Sequence, residues 1–96
     1  MPKGYVIGRA TVTNPEAWGQ YAAKASEAIK KYGGNPIVRG GKHEIVEGQG
    51  VALNVVIEFA SFEAARAYAH SPEYAAAKKL RQGAGTLDFV IVEGAS

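Results

Sequence analysis

Tyr5-Val6-Ile7-Gly8-Arg9-Ala10-Thr11-Val12-Thr13-Asn14-Pro15-Glu16 contains a strand and the start of the helix that follows it. The first nine residues are rich in β-branched and aromatic types, so they read as a strand. Alternation places Val6, Ala10 and Val12 on one face, and Tyr5, Ile7, Arg9 and Thr11 on the other. Asn14 then offers a side-chain oxygen to cap a helix, Pro15 suits the first helical position, and Glu16 complements the helix dipole. The spacing of Trp18, Tyr21, Ala22, Ala25, Ile29 and Tyr32 predicts one apolar helix stripe running to about Tyr32. Glu27 and Lys31 are placed for an i,i+4 pair on the wet side. Gly33-Gly34 ends the helix.

Downstream, Pro36-Ile37-Val38-Arg39, Gly40-Gly41 and His43-Glu44-Ile45-Val46-Glu47 read as one long strand kinked at the glycine pair. Gly48-Gln49-Gly50 turns the chain into Ala52–Phe59, the most apolar strand and a candidate for the sheet centre. Ser61 caps a second helix from Phe62 to about Ala69. Ser71-Pro72-Glu73 repeats the cap, proline and acid pattern for a short third helix ending near Gln82-Gly83. Leu87–Glu93 is the last strand. The order β-α-β-β-α-β, with an extra short helix before the last strand, predicts an α+β fold. Right-handed split crossovers give an antiparallel sheet of order 4-1-3-2 with the helices on one face.

At 96 residues the chain fits one domain, 1–96. Its mass of 10.1 kDa implies burial of about 64% of the unfolded surface, enough for a core without staples. A content of 47% hydrophobic and 21% charged residues is that of a globular protein. With no cysteine, disulfide scaffolds, thiolate zinc sites and thiol catalysis are excluded. No stretch is long and apolar enough to span a bilayer, and the start lacks a signal-peptide core, so a cytoplasmic protein is expected. The net charge of +2 comes from dispersed lysines and arginines. Without a basic stripe interleaved with aromatics, no nucleic-acid partner is expected.

The strands carry apolar residues on both faces: Tyr5 and Ile7 opposite Val6 and Val12, Val55 and Ile57 opposite Val56, Phe89 and Ile91 opposite Val90 and Val92. Helices cover only one side, and a half-solvated sheet alternates more cleanly than this. The open face therefore predicts a homodimer, two sheets meeting in a barrel-like core.

Tyr5-Val6-Ile7, Asn14-Pro15-Glu16, Tyr32-Gly33-Gly34, Val38-Arg39-Gly40-Gly41, Glu47-Gly48, Val56-Ile57-Glu58-Phe59, Ser71-Pro72-Glu73-Tyr74, Leu80-Arg81 and Val92-Glu93-Gly94 resemble, in that order, the family called domain of unknown function 1330. The likeness covers nearly the whole chain. It implies the ferredoxin-like, dimeric α/β-barrel superfamily and no particular reaction.

The chemistry-bearing residues leave alternatives open. Arg9 and Glu58 fall on strands expected to be neighbours, and both are expected to face away from the helices. A structural ion pair and a ligand-binding pair both fit, and Glu58 becomes a general base if burial raises its pKa. Arg39, before a flexible glycine pair, presents either a planar fork to a carboxylate or a surface charge to Glu44 or to the partner chain. A cleft between helices and sheet rimmed by Tyr32, Arg39 and Arg81 is the expected pocket. His43 and His70 come without ligand spacing or an acidic cluster, so no metal or other cofactor is expected. Two functions remain. One is binding of a small carboxylated or aromatic metabolite, extending to cofactor-free catalysis. The other is a non-catalytic dimerisation module.

Overall fold

The computed structural model describes residues 2–95. Strands β1 (Gly4–Val12), β2 (Asn35–Arg39), β3 (Leu53–Phe59) and β4 (Gly85–Glu93) form one antiparallel sheet of order β2-β3-β1-β4, the expected 4-1-3-2 read from the other edge. Helices α1 (Pro15–Lys31), α2 (Phe62–Ala69) and α3 (Pro72–Lys79) account for the rest. Among the described residues no helix is long and apolar enough to cross a membrane.

Each helix starts where a side chain supplies the missing acceptor for its first amides. Asn14 Oδ1 accepts from Ala17 N at 3.3 Å, and Ser61 Oγ accepts from Ala64 N at 3.1 Å. Ser71 Oγ accepts from Tyr74 N at 3.0 Å while donating to Tyr68 O at 2.7 Å, which makes the α2–α3 corner a single hydrogen-bonded unit. The period-2 pattern of β1 is reproduced: Val6 and Ala10 are buried under the helices, and Arg9 and Thr11 are exposed on the far side. Ile57, Phe59, Ala65, Tyr68 and Tyr74 complete the core between the two layers. The molecule is only 17 Å across its thinnest direction, as a single sheet with one helical layer requires. The far face carries Val38, Val90 and Val92, which are 38%, 53% and 42% exposed. They join Tyr5, Ile7 and Val56 in an apolar surface that no element covers among the described residues.

Three sequence expectations are corrected. The long kinked strand does not form: β2 ends at Arg39, and residues 40–52 are irregular. Gly40 and Gly41 take positive φ values of 76° and 89° and turn the chain away from the β3 edge. Beyond them Ile45 and Val46 are adjacent, so no single apolar face exists to dock, and Val46 is 81% exposed. α3 ends earlier than expected, at Lys79, and β4 starts earlier, at Gly85, because Ala84 O accepts from Thr13 N and Asn14 N at 2.8 and 3.0 Å. Finally, Lys31 reaches across to Glu73 of α3, away from Glu27 on its own helix.

Candidate functional site

α2 lies directly on the sheet, whereas α1 packs against α3 and stands off from the strands. The α1–α3 contact is made by side chains. The Tyr21 and Tyr74 hydroxyls are 3.0 Å apart, the Arg81 guanidinium sits 5.4 Å from the Tyr21 ring centroid, and Glu73 joins Lys31 and Tyr32. Between α1 and the sheet this leaves a cleft of about 260 Å³. That is just below the range of about 300–1,000 Å³ typical of ligand pockets, so only a small ligand fits.

The floor of the cleft comes from helix-facing positions of the strands: Val6, Gly8 and Ala10 of β1, Val55 and Ile57 of β3, Leu87 and Phe89 of β4. The roof is α1, through Trp18, Tyr21, Ala25 and Ile29. Ala22, Ser26 and Arg39 also line it and are exposed, so they mark the mouth, on the β2 side. Tyr68 and Ile57 are buried and mark the interior. Arg39 is opposite Val55 in the β2–β3 register, which puts it on the helix side of the sheet. Among the described residues it is the one charged side chain in the lining. Such a site offers an apolar body its burial and an anionic group a planar, five-donor fork.

Of the residues singled out from sequence, the structure brings only Arg39 to this cleft. Arg9 and Glu58 do share the far face of the sheet, as expected, but they are not a pair. Tyr5 is opposite Glu58, and Asn54 is opposite Arg9. Arg9 Nε donates to Asn54 Oδ1 at 3.4 Å; Glu58 takes Lys3 Nζ at 3.1 Å and the Tyr5 hydroxyl at 3.4 Å. With the sheet between it and the cleft, Glu58 is out of reach of a molecule bound there. The Tyr32 hydroxyl donates to Glu73 Oε1 at 2.9 Å, so this ring serves the helix pair and not the cleft rim. Arg81 also misses the cleft. It lies with Arg9, Lys78 and Asp88 along a shallower depression at the β4 edge.

Residue spacing alone did not identify Gly8, Ser26, Tyr21 and Tyr68 as cleft residues. The available signal was low volume at positions whose periodicity points inward: Gly8, Ala10, Ala22 and Ala25 leave space where core residues are expected. Both interior tyrosines are held protonated. Burial, followed by the neighbouring Tyr74, pushes the Tyr21 and Tyr68 hydroxyls above the ordinary tyrosine range. They act as hydrogen-bonding groups and not as bases.

Solved structures with this fold are numerous. A protein of unknown function from Rhodopseudomonas palustris superposes with a TM-score of 0.74 at 16% identity, covering 99% of this chain and 84% of that one. A dimeric protein of unknown function with a ferredoxin-like fold from Bacteroides fragilis gives 0.56 at 16% identity, with 95% of each chain covered. SnoaB, a cofactor-independent oxygenase from Streptomyces nogalater, gives 0.62 at 11% identity, covering 100% of this chain and 96% of that one. At such identities the likeness establishes the ferredoxin-like fold alone. The chain has no significant match among curated proteins. The family model described as Domain of unknown function (DUF1330) matches residues 3–95, nearly the whole sequence, and the chain belongs to that family.

Proposed function

We propose that this protein is a homodimer that binds a small apolar carboxylate in the cleft between α1 and the sheet, with Arg39 receiving the carboxylate. One observation carries the reading: an apolar cleft whose single charged lining residue, among those described, is an arginine at its mouth. A structural module with no ligand fills such space, since protein interiors pack to crystal-like density with few voids. The likeness in fold to a cofactor-independent oxygenase supports small-molecule chemistry without a bound cofactor. Among the described residues the lining holds no carboxylate or imidazole, so the contribution proposed for it is binding and orientation, not proton transfer by an acid–base pair.

The homodimer forms through the far face of the sheet. The uncovered Val38, Val90 and Val92 support it, as does the dimeric state of the Bacteroides fragilis protein with the same fold. Light scattering at micromolar concentration is expected to give about 20 kDa, twice the chain mass of 10.1 kDa. Ile7→Glu is expected to reduce it to the monomer value, because a charge buried there meets no partner. A monomeric wild type overturns the dimer. A thermal-shift series with benzoate, hexanoate and hexylamine tests the cleft. The two carboxylates are expected to raise the melting temperature and the amine to leave it unchanged, because binding to the native state alone stabilises it. Equal rises with all three remove Arg39 as the carboxylate's partner, and no response in wild type favours the non-catalytic module.

A further inference from the structure

Tyr68 is a polar side chain that the packing does not satisfy. It is 1% exposed, lines the cleft, and stacks on Phe59 with ring centroids 5.4 Å apart. The hydroxyls of Tyr21 and Tyr74 satisfy each other at 3.0 Å, but the Tyr68 hydroxyl makes no hydrogen bond among the described residues. Nor is it sealed off. Among the described residues the one sealed side-chain nitrogen or oxygen without a partner is Arg81 Nε. The small open surface that Tyr68 retains therefore includes its hydroxyl, on a side chain that lines the cleft.

A hydroxyl taken largely out of water without a partner is costly, and buried polar groups in folded proteins find partners. Phenylalanine fits the same ring stack with no such cost. A tyrosine here is explained by a partner that arrives with the ligand. The hydroxyl carries one proton to donate and lone pairs that can also accept. An unpaired donor is the rarer of the two in folded proteins, so the partner that matches it best is an acceptor. It must also be uncharged: Arg39, the one charged lining residue among those described, is at the mouth, so an anion at the buried end loses its hydration without a counter-charge. Trp18, Tyr21 and Phe89 in the walls favour a flat apolar body between the two polar ends.

We propose that the cleft recognises a molecule polar at both ends, with a carboxylate at Arg39 and an uncharged acceptor such as a carbonyl taking a hydrogen bond from the Tyr68 hydroxyl. This rests on the reading of the cleft as a carboxylate site and adds the group recognised at its buried end.

The test is calorimetric titration with 4-acetylbenzoate and with 4-isopropylbenzoate, which keeps the shape and the carboxylate but replaces the acceptor by a methyl group. Wild type is expected to bind the acetyl compound about tenfold more tightly. Tyr68→Phe is expected to remove that preference by weakening the acetyl compound alone. Arg39→Ala is expected to weaken both compounds alike. Equal affinity of the two compounds for wild type overturns the assignment of Tyr68 while leaving the carboxylate site standing. A Tyr68→Phe protein that loses both compounds equally overturns it too, since the ring then acts by packing. If neither compound binds wild type at millimolar concentration, the carboxylate site itself fails and the proposal falls with it. The wild-type comparison needs no variant, so a poorly folding Tyr68→Phe leaves it decisive.

Discussion

Gly4 and Gly8 point toward the helices from the same face of β1, and their missing side chains do opposite things. A Cβ on Gly4 would lie 2.2 Å from Ser61 O and 2.7 Å from Phe62 Cα, both main-chain atoms. Glycine there lets the start of α2 rest on the strand, and the region around it is closed: Ala65 is 0% exposed and Phe59 1%. A Cβ on Gly8 would meet only the side chains of Leu87, at 3.4 Å, and Val55, at 3.9 Å. Nothing from α1 comes within 4 Å of it. The same residue type closes one half of the interface and opens the other. What differs is the helix above: α2 sits on the strand, whereas α1 is tied sideways to α3.

The strongest way to break this contrast is Gly4→Ala. The added carbon collides with main chain, which cannot rotate away, so stability is expected to fall by about 3 kcal/mol, read from urea unfolding. A loss below 1 kcal/mol shows that α2 is not held by this approach.

Gly8→Leu is the complementary test. Its backbone is ordinary extended strand, and leucine has room in the cleft. The stability change is expected to stay under about 1.5 kcal/mol while the thermal shift from benzoate disappears. Retained binding with a filled floor means the ligand sits elsewhere.

Arg39→Ala separates binding from folding on the open side. The guanidinium is exposed, so the melting temperature is expected to stay within a few degrees of wild type. Affinity for benzoate is expected to fall by about tenfold or more, as for a lost hydrogen bond to a charged group.

The smallest expected effect concerns the clamp that ties α1 to α3. The hydrogen bond from Lys31, then those from the main chain and from the Tyr32 hydroxyl, hold the Glu73 carboxyl down at about 2. An unfolded glutamate titrates near about 4.3. A folded pKa below the unfolded one stabilises the protein above the unfolded value, and that contribution is lost as pH falls from there toward 2. Glu73→Gln is expected to flatten this acid limb of the stability curve and to lower the plateau at neutral pH, where the carboxylate's contribution is fully present. An unaltered limb assigns the acid sensitivity to other carboxylates.

Much of this architecture was legible in the residues because it depends on local rules. Asn14, Ser61 and Ser71 cap the three helices at the expected positions, and the alternation in β1 and β4 assigns the two sheet faces correctly. The reading failed where neighbours in space decide. Val38-Arg39-Gly40-Gly41-Lys42-His43 looks like a kinked strand, yet the two glycines take left-handed conformations that end it. Arg9 and Glu58 were placed on the correct face, but register, not strand adjacency, determines partners, and a four-residue offset separates them.

By itself, then, the sequence determined the order of elements, the caps, the sheet order, the two-sided apolar strands and the family, all properties of short-range pattern. Only the tertiary structure decided that α1 stands off the sheet, that Arg39 alone of the five candidate residues reaches the resulting cleft, and that Tyr68 lines it without a hydrogen-bond partner among the described residues. The reason is physical. Whether a gap remains between a helix and a sheet depends on the summed volumes of side chains from several distant segments and on what holds the helix from the side. Gly8, Ala25, Tyr68 and Leu87 line one cleft but lie far apart along the chain, and no periodicity within any one of their segments records that they share it.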